Sequence, residues 1–187
     1  MYIILRIDFM VSARISEKAE KSVRGGHPWV FSDEVIDFSD GYENGSLVRV
    51  CTAKGKFLGT GFVNDNSKIR IRLISENYND RFDNDFYYRR LKWAVEYRKC
   101  VMGDDFSCCR IIHGEADRFP GLTVDRFENV LVTEVLSLGM EKIKTVIYDS
   151  LIDIFARMGE KGETKLAAVL PRAFFSPLCS LSLLLRL

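Results

Sequence analysis

The feature that most constrains the fold is a proline–glycine corner, Pro120-Gly121, which precedes two runs of strand-forming residues. Proline fixes φ for the first central position of a turn, and glycine supplies the positive φ that a type II turn needs next. The apolar runs at 122–124 and 130–135 are joined by a loop at 126–129, in which Asn129 tolerates the left-handed conformation of a hairpin loop. The stretch from Arg110 to Ser137 therefore predicts a strand, a corner and a hairpin.

An amphipathic helix is predicted directly after the hairpin, at 140–158. Apolar residues recur there with the spacing of one helix face: Ile143, Val146, Ile147, Leu151, Ile154, Phe155 and Met158. Such a helix buries its apolar face on a small sheet. The predicted order in this part of the chain is strand, strand, helix.

The first third of the chain has a different pattern, with a strand at 11–15 and then a short helix at 17–23. Ser16 offers a hydroxyl as the helix N-cap, and Gly25-Gly26 ends the helix. Trp29 and Phe31 alternate with Val30, as on a strand with a buried face. Further β-runs follow at 46–51, 57–63 and 68–74, which predict a small all-β barrel or sandwich with one helix.

Charge and cysteine content limit the classes of function. The 187 residues contain 27 Lys/Arg and 26 Asp/Glu, so any RNA site must be a local patch rather than a basic domain. Five cysteines form neither a CxxC pair nor a regular framework, and no secretory signal precedes them, which favours a reducing cytoplasm. The apolar stretch at 178–187 is too short to cross a bilayer, and no membrane partner is expected.

The first candidate site is a basic patch at the end of the short helix. Lys and Arg neutralise phosphates, and glycines let a backbone approach closely and turn its N–H groups outward. The alternative is a solvated helix face with a glycine cap, beside an edge strand with its charges in water. The candidate RNA-binding residues are Lys18, Lys21, Arg24, Gly25, Gly26 and His27, joined by Lys68, Arg70 and Arg72 if the barrel closes with these three cations on one face.

A second candidate is the trio His113, Glu115 and Asp117, whose spacing would project all three to one side of a strand. A metal-dependent hydrolase could use them. We favour the structural alternative, in which Asp117 accepts backbone N–H groups near the Pro120 corner, because no fourth ligand has a motif. No metal is therefore expected.

Two further motifs are weak. The vicinal pair Cys108-Cys109 could be a nucleophile or a redox pair, but no histidine motif accompanies it, so a buried or inert thiol is favoured. Gly59-Thr60-Gly61 imitates the start of a dinucleotide fingerprint. A strand follows it instead of a helix, and the third glycine is missing, so we discard that interpretation.

Five blocks of the sequence together resemble one enzyme family. They are Arg-Gly-Gly-His-Pro-Trp-Val-Phe at 24–31, Gly-Lys-Phe-Leu-Gly-Thr-Gly-Phe-Val-Asn at 55–64, Lys-Ile-Arg-Ile-Arg-Leu at 68–73, His-Gly-Glu-Ala-Asp-Arg-Phe-Pro-Gly-Leu-Thr-Val-Asp-Arg-Phe at 113–127, and Leu-Ser-Leu-Gly-Met-Glu at 136–141. In this order and spacing, they are similar to the PUA-containing class I S-adenosylmethionine-dependent methyltransferases of 23S ribosomal RNA, which are cytosine-5 methyltransferases or close relatives.

The resemblance implies an α+β chain in which a PUA-like pseudobarrel is followed by half of a strand-strand-helix-strand-strand domain. The implied divisions are an extension at 1–10, the PUA-like domain at 11–76, a linker and connecting helix at 77–104, the partial central domain at 105–158, and a tail at 159–187. The tail is unlike the family, as after a frameshift or truncation. The family's Rossmann-like methyltransferase domain is expected to be absent.

The implied function is to bind and position ribosomal RNA as the N-terminal part of an rRNA methyltransferase. In the family, the S-adenosylmethionine site and the catalytic cysteines follow the part that matches, and none of the five cysteines here maps to them. We therefore expect no cofactor to bind this chain and no methylation by it alone. The alternative is a stand-alone RNA-binding module without catalysis. The oligomeric state is open, with a homodimer as one alternative.

Overall fold

The computed structural model describes residues 10–159 and 163–169, apart from the side chain of Val169. The chain divides into two compact units, 1–83 and 84–187, each of which has its own core. The predicted extension, except its last residue, and the apolar end at 170–187 lie outside the described residues.

The first unit is a six-stranded sheet with one helix. Its elements are β1 (Ser12–Ile15), α1 (Glu17–Arg24), β2 (Trp29–Phe31), a 3-10 turn (Ser32–Glu34), β3 (Val35–Phe38), β4 (Leu47–Thr52), β5 (Phe57–Val63) and β6 (Ile69–Ser75). The strand order is β2-β6-β5-β4-β1-β3. Only the β1–β4 pair of this sheet is parallel. The predicted strands and helix are confirmed, whereas β3 had no clear sequence signal.

The core of this unit lies between the sheet and α1. Alternating inward residues of the strands, such as Val48, Val50 and Ile71, are fully buried, and α1 adds Ala19 and Val23. Alternation of this kind is what a strand with one buried face produces. The helix is amphipathic for the same reason, so that its opposite face carries the charged residues.

Both ends of α1 follow from local sequence. The Ser16 hydroxyl accepts a hydrogen bond from the Ala19 N–H at 3.3 Å, which confirms the predicted N-cap. At the other end, the Gly25 N–H donates to the Lys21 carbonyl at 3.0 Å, and Gly26 takes a φ of +90°. A glycine adopts that conformation without steric cost, so the chain leaves the helix sharply.

Two glycines of β5 allow an unusually close approach to β6. A Cβ atom on Gly61 would lie 2.4 Å from the Arg72 carbonyl oxygen, and one on Gly59 would lie 2.8 Å from the Ser75 carbonyl oxygen. These glycines are the ones that imitate a dinucleotide fingerprint. Their position on a strand explains them as packing residues, since glycine within a strand often marks a close backbone approach.

The second unit is a four-stranded sheet with two helices. Its elements are α2 (Asn84–Met102), a 3-10 turn (Gly103–Ser107), β7 (Cys108–His113), a second 3-10 turn (Gly114–Asp117), β8 (Leu122–Phe127), β9 (Val130–Val135), α3 (Leu138–Arg157) and β10 (Lys165–Val169). The order is β10-β9-β8-β7. Leu91 and Val95 of α2 and Leu151 and Phe155 of α3 are buried.

Strand β10 lies within residues 159–187, the tail that is unlike the family in sequence. Lys165–Val169 pair in parallel with β9, in register from Val130 to Glu134, and the Lys165 N–H donates to the Asn129 carbonyl at 2.8 Å. After α2, the described part of this unit therefore consists of three strands, a helix and a fourth strand. A parallel partner so distant in sequence leaves no local signal, which is why the sequence analysis missed it.

The Pro120-Gly121 corner forms as predicted. The Leu122 N–H donates to the Phe119 carbonyl at 3.0 Å, and Gly121 has a φ of +76°. The Ser137 hydroxyl donates to the Pro120 carbonyl at 2.6 Å and accepts from the Met140 N–H at 3.4 Å. The residue that caps α3 thus also fastens the corner.

Asn129 tolerates the left-handed conformation but does not adopt it in this hairpin. The left-handed residue of the β8–β9 hairpin is Glu128, with a φ of +53°. The Glu128 N–H donates to the Ser107 carbonyl at 2.7 Å, and Asn129 is engaged with the start of β10 through its side-chain amide, which donates to the Glu163 carbonyl at 3.1 Å. Contacts from distant segments override the local preference of asparagine for this conformation.

The β5 glycines provide a stability test. Replacing Gly61 with alanine should lower the free energy of unfolding by about 2 kcal/mol, because the added methyl group meets backbone that cannot move aside. Gly41→Ala is the matched control, since nothing lies within 4 Å of its Cβ position; it should change stability by no more than about 0.5 kcal/mol. Urea denaturation measures both. Equal stability of the two variants would contradict the close packing.

Candidate nucleic-acid interface

The end of α1 carries the basic side chains that the sequence predicts, but not all of them are equally available. Lys18 is 84% exposed, with its ammonium 3.8 Å from Glu34. Lys21 is exposed. The Arg24 Nε donates to Glu20 at 2.9 Å, so this cation is partly neutralised by a neighbour on the same helix face. We call Lys18, Lys21 and Arg24 the helix-end patch.

The two glycines do not present their N–H groups to a ligand, which corrects one part of the prediction. The N–H groups of Gly25, Gly26 and His27 all donate back to carbonyls of α1, at 2.9 to 3.1 Å. These are the carbonyls that a helix leaves unsatisfied at its C-terminus. The glycines therefore contribute a surface without side chains beside the patch, rather than a set of anion-binding amides.

Directly after the glycines, three rings form a cluster that we call the aromatic group: His27, Trp29 and Phe31. The ring centroids of His27 and Trp29 are 5.6 Å apart with planes at 88°, and those of Trp29 and Phe31 are 6.4 Å apart with planes at 90°. Such edge-to-face contacts are favourable for aromatic rings. His27 and Phe31 are exposed, while Val30 between them points into the core.

Strand pairing brings one of the β6 cations to this group. β2 and β6 are antiparallel, with Trp29 opposite Arg72, and the Arg72 guanidinium carbon lies 5.5 Å from the Trp29 ring centroid. This is within the range of a cation–π interaction. The structure thus joins His27 and Arg72, which are 45 residues apart in sequence, through Trp29.

The three cations predicted to share one face, Lys68, Arg70 and Arg72, make different contacts. Arg70 donates to the Tyr42 hydroxyl at 3.1 Å and pairs with the Asp65 carboxylate at 3.0 Å. The Tyr42 hydroxyl in turn donates to Asp65 at 2.7 Å, and burial together with that carboxylate raises the pKa of Tyr42. Arg70 therefore fixes a loop to the sheet. Lys68 is exposed, and its carbonyl accepts from the Ser32 N–H at 2.9 Å.

Sequence reasoning assigned Trp29 and Phe31 to a strand and did not place them among the binding residues. The sequence did contain a pattern that could have indicated binding residues, since aromatic residues alternate along β2 immediately after a basic helix end. Such alternation is also the ordinary pattern of a half-buried strand, so it could not distinguish a core face from an exposed ring cluster. Whether the rings belong to the core or to an exposed cluster depends on the side of the strand on which each ring lies.

The trio His113, Glu115 and Asp117 is organised by hydrogen bonds. The Asp117 carboxylate accepts the His113 N–H at 2.6 Å and pairs with Arg98 at 2.7 Å. This is the structural role predicted for Asp117, although the donor lies at His113 rather than at the Pro120 corner. Within residues 10–159 and 163–169, no group of three His, Cys, Asp or Glu side chains could hold a metal ion.

The vicinal cysteines show no sign of activation. Cys109 is half-buried, its thiol donates to the Phe106 carbonyl at 3.5 Å, and burial raises its pKa. A raised pKa keeps the thiol protonated, which is unfavourable for a nucleophile. Cys51, buried in β4, also has its pKa raised by burial.

Comparison with known proteins finds a match for most of the first unit. A family model described as PUA-like domain matches residues 13–76, which include α1, the aromatic group and β6. We refer to this matched region as the PUA-like domain. It contains every candidate RNA-binding residue that the sequence predicts.

Similarity to curated relatives extends beyond the PUA-like domain. Ribosomal RNA large subunit methyltransferase I of Erwinia tasmaniensis is 36% identical over 138 residues, and that of Pseudoalteromonas translucida is 36% identical over 140 residues. These matches cover 73% and 74% of this chain and 35% of each relative. The chain thus spans about a third of the length of the relatives it matches.

Solved structures share the fold. A protein of Streptococcus mutans described as a SAM-dependent methyltransferase superposes with a TM-score of 0.69 at 18% identity, over 85% of this chain and 40% of that one. A second, described as a methyltransferase complexed with SAH, has the same TM-score. In the part of the chain that the structure describes, no helix is long and apolar enough to cross a membrane.

The Arg98–Asp117 pair gives a second stability test. Both side chains are mostly shielded from solvent, so Asp117→Asn should leave a shielded guanidinium without its counter-charge and lower the free energy of unfolding by about 2 kcal/mol. Asp37→Asn, which breaks the more exposed pair with Arg14, is the matched control and should have a much smaller effect. Thermal or urea unfolding compares the two. An equal loss in both variants would contradict a structural role for Asp117.

Proposed function

We propose that the PUA-like domain binds structured ribosomal RNA through the helix-end patch, the aromatic group and Arg72. The observation that carries this proposal is the contact between Trp29 and Arg72, because it brings a strand cation to the aromatic group that directly follows the basic end of α1 in the chain. Cations neutralise phosphates, and rings stack on unpaired bases. A near-neutral chain can therefore bind RNA locally.

We further propose that this binding serves an S-adenosylmethionine-dependent methyltransferase of large-subunit ribosomal RNA, with cytosine C5 as the target. The support is the similarity to the curated methyltransferases and the shared fold. S-adenosylmethionine supplies the methyl group in such enzymes. The residues described here would orient the RNA, and we assign no cofactor contact to them. Location in the cytoplasm and the oligomeric state stay predictions.

The alternative is an RNA-binding module that acts without catalysis. It agrees with the chemistry of two cysteines, since burial raises the pKa values of Cys51 and Cys109 and a raised pKa disfavours a nucleophilic thiolate. Both alternatives require the same RNA-binding surface. They differ in whether the bound RNA is a substrate for methylation.

The salt dependence of RNA binding tests the surface. Lys21→Gln should lower the slope of log K against log salt by about one unit, because one phosphate contact is lost. Glu20→Gln should strengthen binding, since it removes the carboxylate that pairs with Arg24. Lys54→Gln, an exposed lysine in the β4–β5 turn, is the control and should change neither quantity. Binding of a hairpin RNA that is insensitive to salt and to Lys21→Gln would refute the proposal.

Isothermal titration with S-adenosylmethionine tests whether this chain contains the cofactor site. We expect no heat of binding to this chain alone, because the residues assigned here act on RNA. Saturable binding of one equivalent would place a cofactor site within the chain and would contradict our assignment. RNA binding measured on the same preparation shows that the protein is folded in either case.

A further inference from the structure

The outer face of α2, in the second unit, combines exposed aromatic rings with cations. Trp93 is 64% exposed and Tyr97 is 58% exposed, and they lie one helical turn apart. Arg89, Lys92 and Lys99 are exposed on the same helix. Most tryptophans are largely buried, so one in the middle of a helix with most of its surface in water requires an explanation.

The charge of α2 differs from that of the rest of its unit. The helix carries five Lys/Arg and two Asp/Glu, whereas the rest of the unit, residues 103–187, carries ten Lys/Arg and twelve Asp/Glu. One of the two acids of the helix, Glu96, lies 3.7 Å from the Lys92 ammonium. The helix is therefore a basic region in a unit that is otherwise close to neutral, and its field favours a polyanion.

One of the two rings is held in place. The Arg98 guanidinium carbon lies 5.0 Å from the Tyr97 ring centroid. Arg98 is itself fixed, because it pairs with Asp117 and its Nε donates to the Arg110 carbonyl at 3.1 Å. One side of the Tyr97 ring is thus occupied by an anchored cation, while more than half of the side chain is open to a ligand. A ring restrained in this way loses little entropy when a base stacks on it.

We propose that the outer face of α2 is a second RNA contact, which takes an unpaired segment by stacking bases on Trp93 and Tyr97. Arg89, Lys92 and Lys99 neutralise its phosphates. A turn of helix separates the two rings by about 6 Å along the axis, so neighbouring nucleotides of an unpaired strand can each meet one ring. The proposal rests on the proposed function in that RNA is the ligand of both surfaces.

The same observations disfavour an apolar partner. Val101 is the aliphatic residue that continues the row of Trp93 and Tyr97, and it is 59% exposed. A protein interface over this face would desolvate Lys92 and Lys99, and lysine is depleted from the buried centre of interfaces. RNA instead leaves the lysines at its hydrated backbone. Charge complementarity therefore selects the nucleic acid.

The chain has two tryptophans, one on each surface, which allows both sites to be followed separately. In Trp29→Phe, the fluorescence reports on Trp93 and α2; in Trp93→Phe, it reports on Trp29 and the PUA-like domain. The probes are a blunt hairpin RNA and the same hairpin with a single-stranded extension of about ten nucleotides. The extended hairpin should quench Trp93, and the blunt hairpin should not.

Substitutions on α2 test which of its residues bind the extended hairpin. Trp93→Ala should weaken binding of the extended hairpin about tenfold and leave the blunt hairpin unaffected, since one stacked base is lost. Lys92→Gln should lower the salt slope for the extended hairpin by about one unit. Arg157→Gln, which breaks the comparable exposed pair with Asp153 on α3, is the control and should change neither value.

Three results would overturn the inference. The first is Trp93 fluorescence that does not change, or changes equally with the two hairpins, while Trp29 fluorescence still responds. This outcome leaves the proposed function of the PUA-like domain intact. The second is binding of the extended hairpin that is unchanged in both Trp93→Ala and Lys92→Gln. The third is a dimer in analytical ultracentrifugation that Trp93→Ala dissociates, which would make a second copy the occupant of this face. Loss of RNA binding at both tryptophans would instead refute the proposed function.

Discussion

The close approach of β5 and β6 is the constraint on which the first unit depends. Because Gly61 has no side chain, its backbone can lie against the Arg72 carbonyl at a distance that no other residue would permit. The position of β6 determines where Arg72 meets Trp29 on the neighbouring strand. A packing requirement within the sheet thus sets the geometry of the candidate RNA-binding surface.

In the second unit, the corresponding role belongs to the contact between the Pro120-Gly121 corner and Ser137. A Cβ atom on Gly121 would lie 2.8 Å from the Ser137 Cβ, so only glycine allows the corner to lie against the start of α3. The Ser137 hydroxyl then serves both the corner and the helix N-terminus. One side chain links the hairpin to the helix that covers its sheet.

The charged side chains of this protein interact mainly with near neighbours. The whole chain has a formal charge of +1, and several cations are committed to structural contacts, such as Arg70 with Asp65 and Arg98 with Asp117. Other cations, such as Lys21 on α1 and Arg89 on α2, are exposed. Since exposed charges are screened within about 10 Å in salt, the proposed RNA binding depends on such local groups rather than on the net charge of the chain.

The sequence by itself determined the features that arise within a few residues: the Ser16 cap, the Gly25-Gly26 helix end, the alternation of β6 and the Pro120-Gly121 corner. It also indicated the PUA-like domain and the basic patch. Only the tertiary structure decided that β10 pairs with β9, that Glu128 rather than Asn129 is left-handed, and that Arg70 and Arg72 have different partners. The reason is that caps, turns and alternation act between chain neighbours, whereas strand pairing and side-chain contacts depend on segments that folding brings together from distant positions.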